Sequence, residues 1–271
     1  MAGVNMGTVW DRTSDFVVDN LSRILPVALI AFFIPFSIIG NLSPLLDEAE
    51  PGLSLVLLLG MLALSVFAQW GALALTALVL DRHRDASRTA LRRLGPALLV
   101  WLLLFVLLLV LASPLAIGFT LAGVDLTGSR PMPDKLSIGA GLGWALALYT
   151  FALAGVSIWL TARFALINAA IVGEHLGVGA IGRSFHLTAG LAWRLVGVGI
   201  LYAVVSNVAE LAAQTVFGSV LALIITEAGP FSLASILTSI AVAAVQTGFC
   251  VLAPLFTANL YLARVPAHGA A

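Results

Sequence analysis

The chain has 271 residues and zero formal net charge; 61% of residues are hydrophobic, only 10% are charged, and mean hydropathy is +1.10. Soluble domains carry about 25% charged residues, so this chain has too little charge to cover a water-facing surface, and it has no basic excess to suggest a nucleic-acid partner. The single cysteine, Cys250, excludes an intrachain disulfide.

Asp11, Arg12, Asp15, Asp19 and Arg23 interrupt the first 23 residues, so no apolar core of a cleavable signal peptide is present there, and the first membrane helix is expected to be a retained anchor. From about Thr8 to Arg23 the pattern is amphipathic. Thr8-x-x-Asp11 resembles a helix-starting capping box. Asp11, Asp15, Asp19 and Ser22 share one face, and Trp10, Val17, Leu21 and Ile24 the other.

About 20 mostly apolar residues are needed to cross roughly 30 Å of hydrocarbon, and the backbone must be helical there. Six runs meet this, at about 24–42, 53–80, 96–123, 137–172, 194–226 and 232–263. The last three exceed a straight crossing, so tilting, kinking or projection into the interface is expected. Pro35, Pro114 and Pro254 are candidate kinks. Only Glu227 to Pro230 separates the fifth run from the sixth, leaving open a tight turn or a broken fifth segment. The expected fold is all-α: a polytopic membrane protein with about six transmembrane helices and short amphipathic interfacial helices, forming one integral membrane domain over residues 1–271.

Two further amphipathic stretches precede inward crossings. At 85–94, Ala86, Ala90 and Leu94 oppose Arg88 and Arg92; at 178–191, Val178, Ile181 and Phe185 oppose Arg183 and His186. With the first, they suggest three helix-hairpin units beginning near residues 8, 85 and 178. Orientation follows from Lys and Arg in short loops. Eleven arginines (12, 23, 82, 84, 88, 92, 93, 163, 183, 194 and 264) fall on one side, against Arg130 and Lys135 on the other. Both termini are therefore expected in the cytoplasm.

Residues 161–194 contain Arg163, Glu174, Arg183, Ser184, Leu187, Thr188, Gly190 and Trp193, and the last run ends in Thr257-Ala-Asn-Leu-Tyr261. This pattern resembles the membrane domain associated with glycerophosphoryl diester phosphodiesterases, which also exists as stand-alone proteins without the catalytic domain. The resemblance implies a membrane-domain fold without hydrolase activity and a bacterial inner-membrane location. The Asp that often follows the family's final Tyr is absent; Leu262-Ala-Arg-Val-Pro266 stands there.

Glu210, flanked by Asn207 and Gln214 at offsets of three and four, forms a candidate intramembrane polar site. An ionisable group in a span costs roughly 2.5–3.5 kcal/mol on insertion scales, so it invites a functional reading as a cation, proton or substrate site. The competing reading is an interfacial carboxylate, since sixteen helical residues from Arg194 rise about 24 Å. Arg163, Arg183, Arg88 and Arg92 are candidate lipid or phosphate contacts; against that stand snorkelling to the interface, which costs less, and ordinary topology determination. Gly139-x-x-x-Gly143 has the spacing of a close helix contact. Gln69, Asn168, Gln246 and Asn259 read as interhelical hydrogen-bonding residues. His83, His175, His186 and His268 form no metal spacing, and no catalytic or cofactor motif is present.

Three functions fit this pattern: a non-enzymatic membrane protein acting through lipids or a protein partner, a small-molecule or lipid transporter, and a membrane-embedded lipid enzyme. No cofactor is expected.

Overall fold

A computed structural model of the chain describes residues 5–48, 50–81, 85–123, 139–224 and 232–265. Six segments among them are helical, long and apolar enough to cross a membrane: Leu21–Leu42, Gly52–Leu80, Ala86–Leu121, Gly141–Gly173, Ala192–Leu221 and Leu233–Arg264. No strand occurs among the described residues, so the fold is all-α and multi-pass. Arg82, His83, Arg84, Arg130, Lys135, His268 and the stretch from Glu227 to Pro230 lie outside the described residues.

Helix α1 is Met6–Asp19. Its cap is Asn5, whose side chain accepts from the Gly7 N–H at 3.0 Å, so the helix begins before the expected Thr8 capping box. The buried stripe is also rotated from expectation: Val9, Thr13 and Phe16 are buried, whereas Trp10 and Leu21 are about half exposed. Thr13 can be buried because its hydroxyl donates to the Val9 carbonyl at 2.8 Å and accepts from Asn259 at 3.4 Å.

The first span comprises α2 (Leu21–Ala28), a π-helical turn (Leu29–Phe33) and α3 (Ile34–Leu42). Pro35 stands two residues past the end of the turn. It lacks an N–H and crowds the carbonyl four residues back, and a widened turn relieves that conflict. After the short α4 (Leu45–Glu48) come α5 (Pro51–Leu80) and α6 (Ala86–Leu121). The amphipathic stretch at 85–94 is not a separate interfacial helix but the opening turns of the continuous α6. Its Ala90 is buried while Arg88 and Arg92 are exposed.

The fourth run, expected to tilt, kink or project into the interface, is broken into two helices, α7 (Ala140–Phe164) and α8 (Ile167–Gly173). At the break the Arg163 carbonyl accepts from the Ser184 hydroxyl at 2.6 Å, so a side chain from a later helix occupies an acceptor of the helix end. Then α9 (Gly179–Leu187) leads to α10 (Ala192–Ile224), which is unbroken, and to α11 (Leu233–Arg264). In α9 the buried face is Ala180, Ser184 and Leu187 rather than the expected Val178 side; Val178 is exposed.

Helices α5 and α11 are central, α5 packing on α6 and α8, α11 on α10, α5, α3 and α1. The end of the bundle that holds α1, α8 and α9 is here the lower half, and the end that holds the C-terminus of α3 and the N-terminus of α11 the upper half. Burial concentrates in the lower half. Leu73 to Val79 of α5 are buried all round, as are Ile171, Leu255 and Leu260.

Elsewhere the exterior is apolar: Phe105 is 57% exposed, Phe151 79% and Leu201 64%. Such a continuous apolar surface suits lipid and not water. Threonine hydroxyls inside the spans turn back onto their own helices, as Thr76 does to the Ala72 carbonyl at 2.7 Å and Thr247 to that of Ala243 at 2.7 Å. Close helix contact is made by Gly71 against Ala31 and Phe32 and by Gly118 against Leu146, whereas a Cβ added at Gly139 would meet nothing among the described residues.

Candidate functional site

Glu210 lies on α10 where that helix faces α11 and α3. Gln246 of α11 donates from Nε2 to Glu210 Oε2 at 3.1 Å. The two residues lie equally far from residue 228, so an antiparallel hairpin brings them to one depth. That arithmetic is the sequence signal that selects Gln246 among the amides of the chain.

The pair opens onto a cleft of about 420 Å³ in the upper half. Asn207, Gln214, Phe36 of α3 and Ser239 of α11 share its wall. Asn207, Glu210 and Gln214 are thus brought to one cavity, with Asn207 Nδ2 tied to the Ala203 carbonyl at 2.7 Å. Glu210 is half-buried, neither sealed in the core nor free at the surface. Among the described residues it is the single charged one lining the cleft. A carboxylate among neutral amides, beside an aromatic face, favours a cationic or N–H-donating guest over an anion.

The motif residues of 161–194 converge elsewhere, in the lower half. Arg183 Nε donates to both Glu174 oxygens, at 2.8 and 2.9 Å, and the Tyr261 hydroxyl donates to Glu174 Oε1 at 2.8 Å. Gly173 leaves room for that tyrosine, since a Cβ there would stand 3.1 Å from its hydroxyl. Arg163 Nη1 donates to the Phe185 carbonyl at 3.2 Å, and its guanidinium lies 5.0 and 5.3 Å from the ring centres of Trp159 and Phe185. Arg264 donates to the carbonyls of Leu187 and Ala189 at 2.9 and 2.6 Å.

Two arginines therefore cap the C-terminal carbonyls of α9, where positive charge also meets the helix dipole. Gly190, with φ +77°, makes the left-handed turn into α10. Trp193 stands 78% exposed. The arrangement clasps α7, α8, α9 and α11 together, with Arg163 and Arg183 turned to protein partners. Tyr261, named from the sequence only as part of the chain's ending, is a central member.

Arg88 and Arg92 remain on the surface; Arg88 makes a 3.5 Å ion pair with Asp85 across largely exposed side chains, worth little by itself. Gln69 donates to Asn168 at 3.1 Å, linking α5 to α8. Among the described residues no three His, Cys, Asp or Glu side chains come together as metal ligands. Comparison with family models, curated proteins and solved structures finds no match to the chain.

Proposed function

We propose that this chain is a non-enzymatic integral membrane protein that works through what it binds, and that its ligand is an organic monocation held at Glu210. The carrying observation is the upper cleft, in which one carboxylate, hydrogen-bonded by Gln246, faces a space of about 420 Å³ with no basic residue among the described residues of its lining. A guest with an N–H or quaternary ammonium group gains an ion pair there, and Phe36 offers a ring face.

The test uses ethidium as a probe cation. Its fluorescence anisotropy should rise on addition of the detergent-purified protein. The Glu210→Gln variant keeps the shape and the hydrogen-bonding capacity but loses the charge, and should bind about tenfold or more weakly. Equal binding by both proteins defeats the assignment.

Membrane lipids are the second partner in this reading. Arg88 and Arg92 are exposed at the lower end, where each basic residue near an anionic surface contributes about 1 kcal/mol. A protein partner on the same face belongs to the same proposal. The described arginines (12, 23, 88, 92, 93, 163, 183, 194 and 264) all belong to the lower half. By the positive-inside rule that half faces the cytoplasm, with both termini. The likeness of 161–194 to the stand-alone phosphodiesterase-associated membrane domain supports a bacterial inner membrane. Reporter fusions check the orientation: one at residue 88 should read cytoplasmic and one at residue 130 extracytoplasmic. The same side for both would refute it.

A further inference from the structure

A second cavity, of about 640 Å³, lies in the lower half between α6, α7 and α11. Its wall is mostly apolar and aromatic, including Trp101, Phe105 and Phe164, with Thr161, Asn168 and Thr257 as polar points. Among the described residues no charged one lines it.

The two cavities approach each other on three helices. In the first span Phe32 lines the lower cavity and Phe36 the upper cleft. On α11 Cys250 lines the lower and Gln246 the upper. On α10 Tyr202 lines the lower and Asn207 the upper. Each pair is four or five residues apart, so about 6–8 Å of helix rise separates the cavities.

Two aromatic pairs stand along that interval. Phe32 and Phe36 have ring centres 6.1 Å apart. Tyr202 and Phe249 meet edge to face at 5.9 Å, and the Tyr202 hydroxyl donates to the Phe249 carbonyl at 2.8 Å. Phe32 belongs to the π-helical turn and Phe36 follows Pro35. The phenylalanine pair thus sits where the helix ladder is irregular, which is where helices bend most readily.

We infer that the upper cleft and the lower cavity are two ends of one interrupted path for an organic monocation with an apolar body, closed in this conformation by the Phe32–Phe36 and Tyr202–Phe249 pairs. This rests on the assignment of the Glu210 cleft as the cation's binding site. The carboxylate supplies the charged stop. The aromatic lower cavity receives the apolar body and offers ring faces to the charge. The septum between them is one to one and a half helical turns thick.

The experiment reconstitutes the full chain into phosphatidylcholine vesicles loaded with DNA and follows ethidium entry by its fluorescence. Wild type should admit ethidium faster than protein-free vesicles, and Glu210→Gln should not. Phe36→Ala removes one ring of the septum and should speed entry by up to about tenfold. Tyr202→Phe deletes only the hydroxyl bond to Phe249 and should speed it by less.

An entrapped anionic dye, carboxyfluorescein, should stay inside vesicles carrying every variant. Its escape together with faster ethidium entry would mean a non-selective hole and overturn the path. Binding at Glu210 without protein-dependent entry in wild type or either septum variant overturns the path and leaves the binding site standing. Absence of binding overturns both.

Discussion

Gly71→Leu should leave little folded protein, and Gly71→Ala should melt below wild type. Alanine is the better helix former by about 1 kcal/mol, so on propensity alone the smaller change would stabilise. Packing reverses the sign. A Cβ at Gly71 overlaps the methyl of Ala31, a fully buried residue fixed to its own backbone, and stands 3.1 Å from two ring atoms of Phe32. Neither neighbour is the free end of a flexible side chain. Overpacking of this kind costs about 1–3 kcal/mol for small insertions, and leucine would have to push α5 off the first span.

Melting can be followed in detergent through reaction of the sole cysteine, Cys250, with a thiol-reactive fluorophore. Gly155→Ala is the control: it lies within α7 and a Cβ there meets nothing within 4 Å, so it should match or exceed wild type. A Gly71→Ala protein that melts at or above wild type would show that the two helices are not in the contact described.

Glu174→Ala should cost about 2–4 kcal/mol, the second-largest effect. The substitution strips Arg183 of a two-point partner and Tyr261 of its acceptor at once. Leaving a buried charge without its partner costs about 3–5 kcal/mol, but here the Arg183 and Glu174 side chains are 34% and 28% exposed, so water recovers part of it. Tyr261→Phe removes one hydrogen bond and should cost about 1 kcal/mol. Because the two residues share one oxygen, the double variant should fall short of the sum by about 0.5 kcal/mol or more. Strict additivity, measured by the same thiol-reactivity melts, would mean that the clasp does not act as a unit.

Several parts of the molecule were legible from local pattern. The apolar runs at 24–42 and 232–263 correspond closely to the first and last spans, because crossing a bilayer demands only length and apolarity and each run supplies both within itself. Ala90 is buried and Arg92 exposed as the alternation at 85–94 implies. The faces of α1 and α9 came out rotated. Trp10 and Val178 are apolar and exposed, while Thr13 and Ser184 are polar and buried. A hydroxyl that turns to a backbone carbonyl no longer reads as polar to its neighbours, and residue type alone does not reveal that turn.

The candidate sites divide in the same way. Asn207, Glu210 and Gln214 share a face by helix arithmetic, and they line one cleft. That Gln246 and Phe36 complete it depends on which helices lie beside α10. Arg163 and Arg183 were legible as exceptional charges near spans, but their partners, the Phe185 carbonyl and Glu174, depend on the chain breaking at 165–166 and folding back through α9.

The sequence by itself determined a multi-pass helical membrane protein, its six spans, and the positions along them where polar groups interrupt the apolar surface. These are properties of consecutive residues. Only the tertiary structure decided how each helix is rotated, that Gly71 and not Gly139 is packed against a neighbour, and that Glu210 meets Gln246 while Glu174 meets Arg183 and Tyr261. A helix apolar on all sides carries no stripe to mark its buried face. In lipid that information passes from the hydrophobic pattern to side-chain fit and hydrogen bonding between helices distant in sequence.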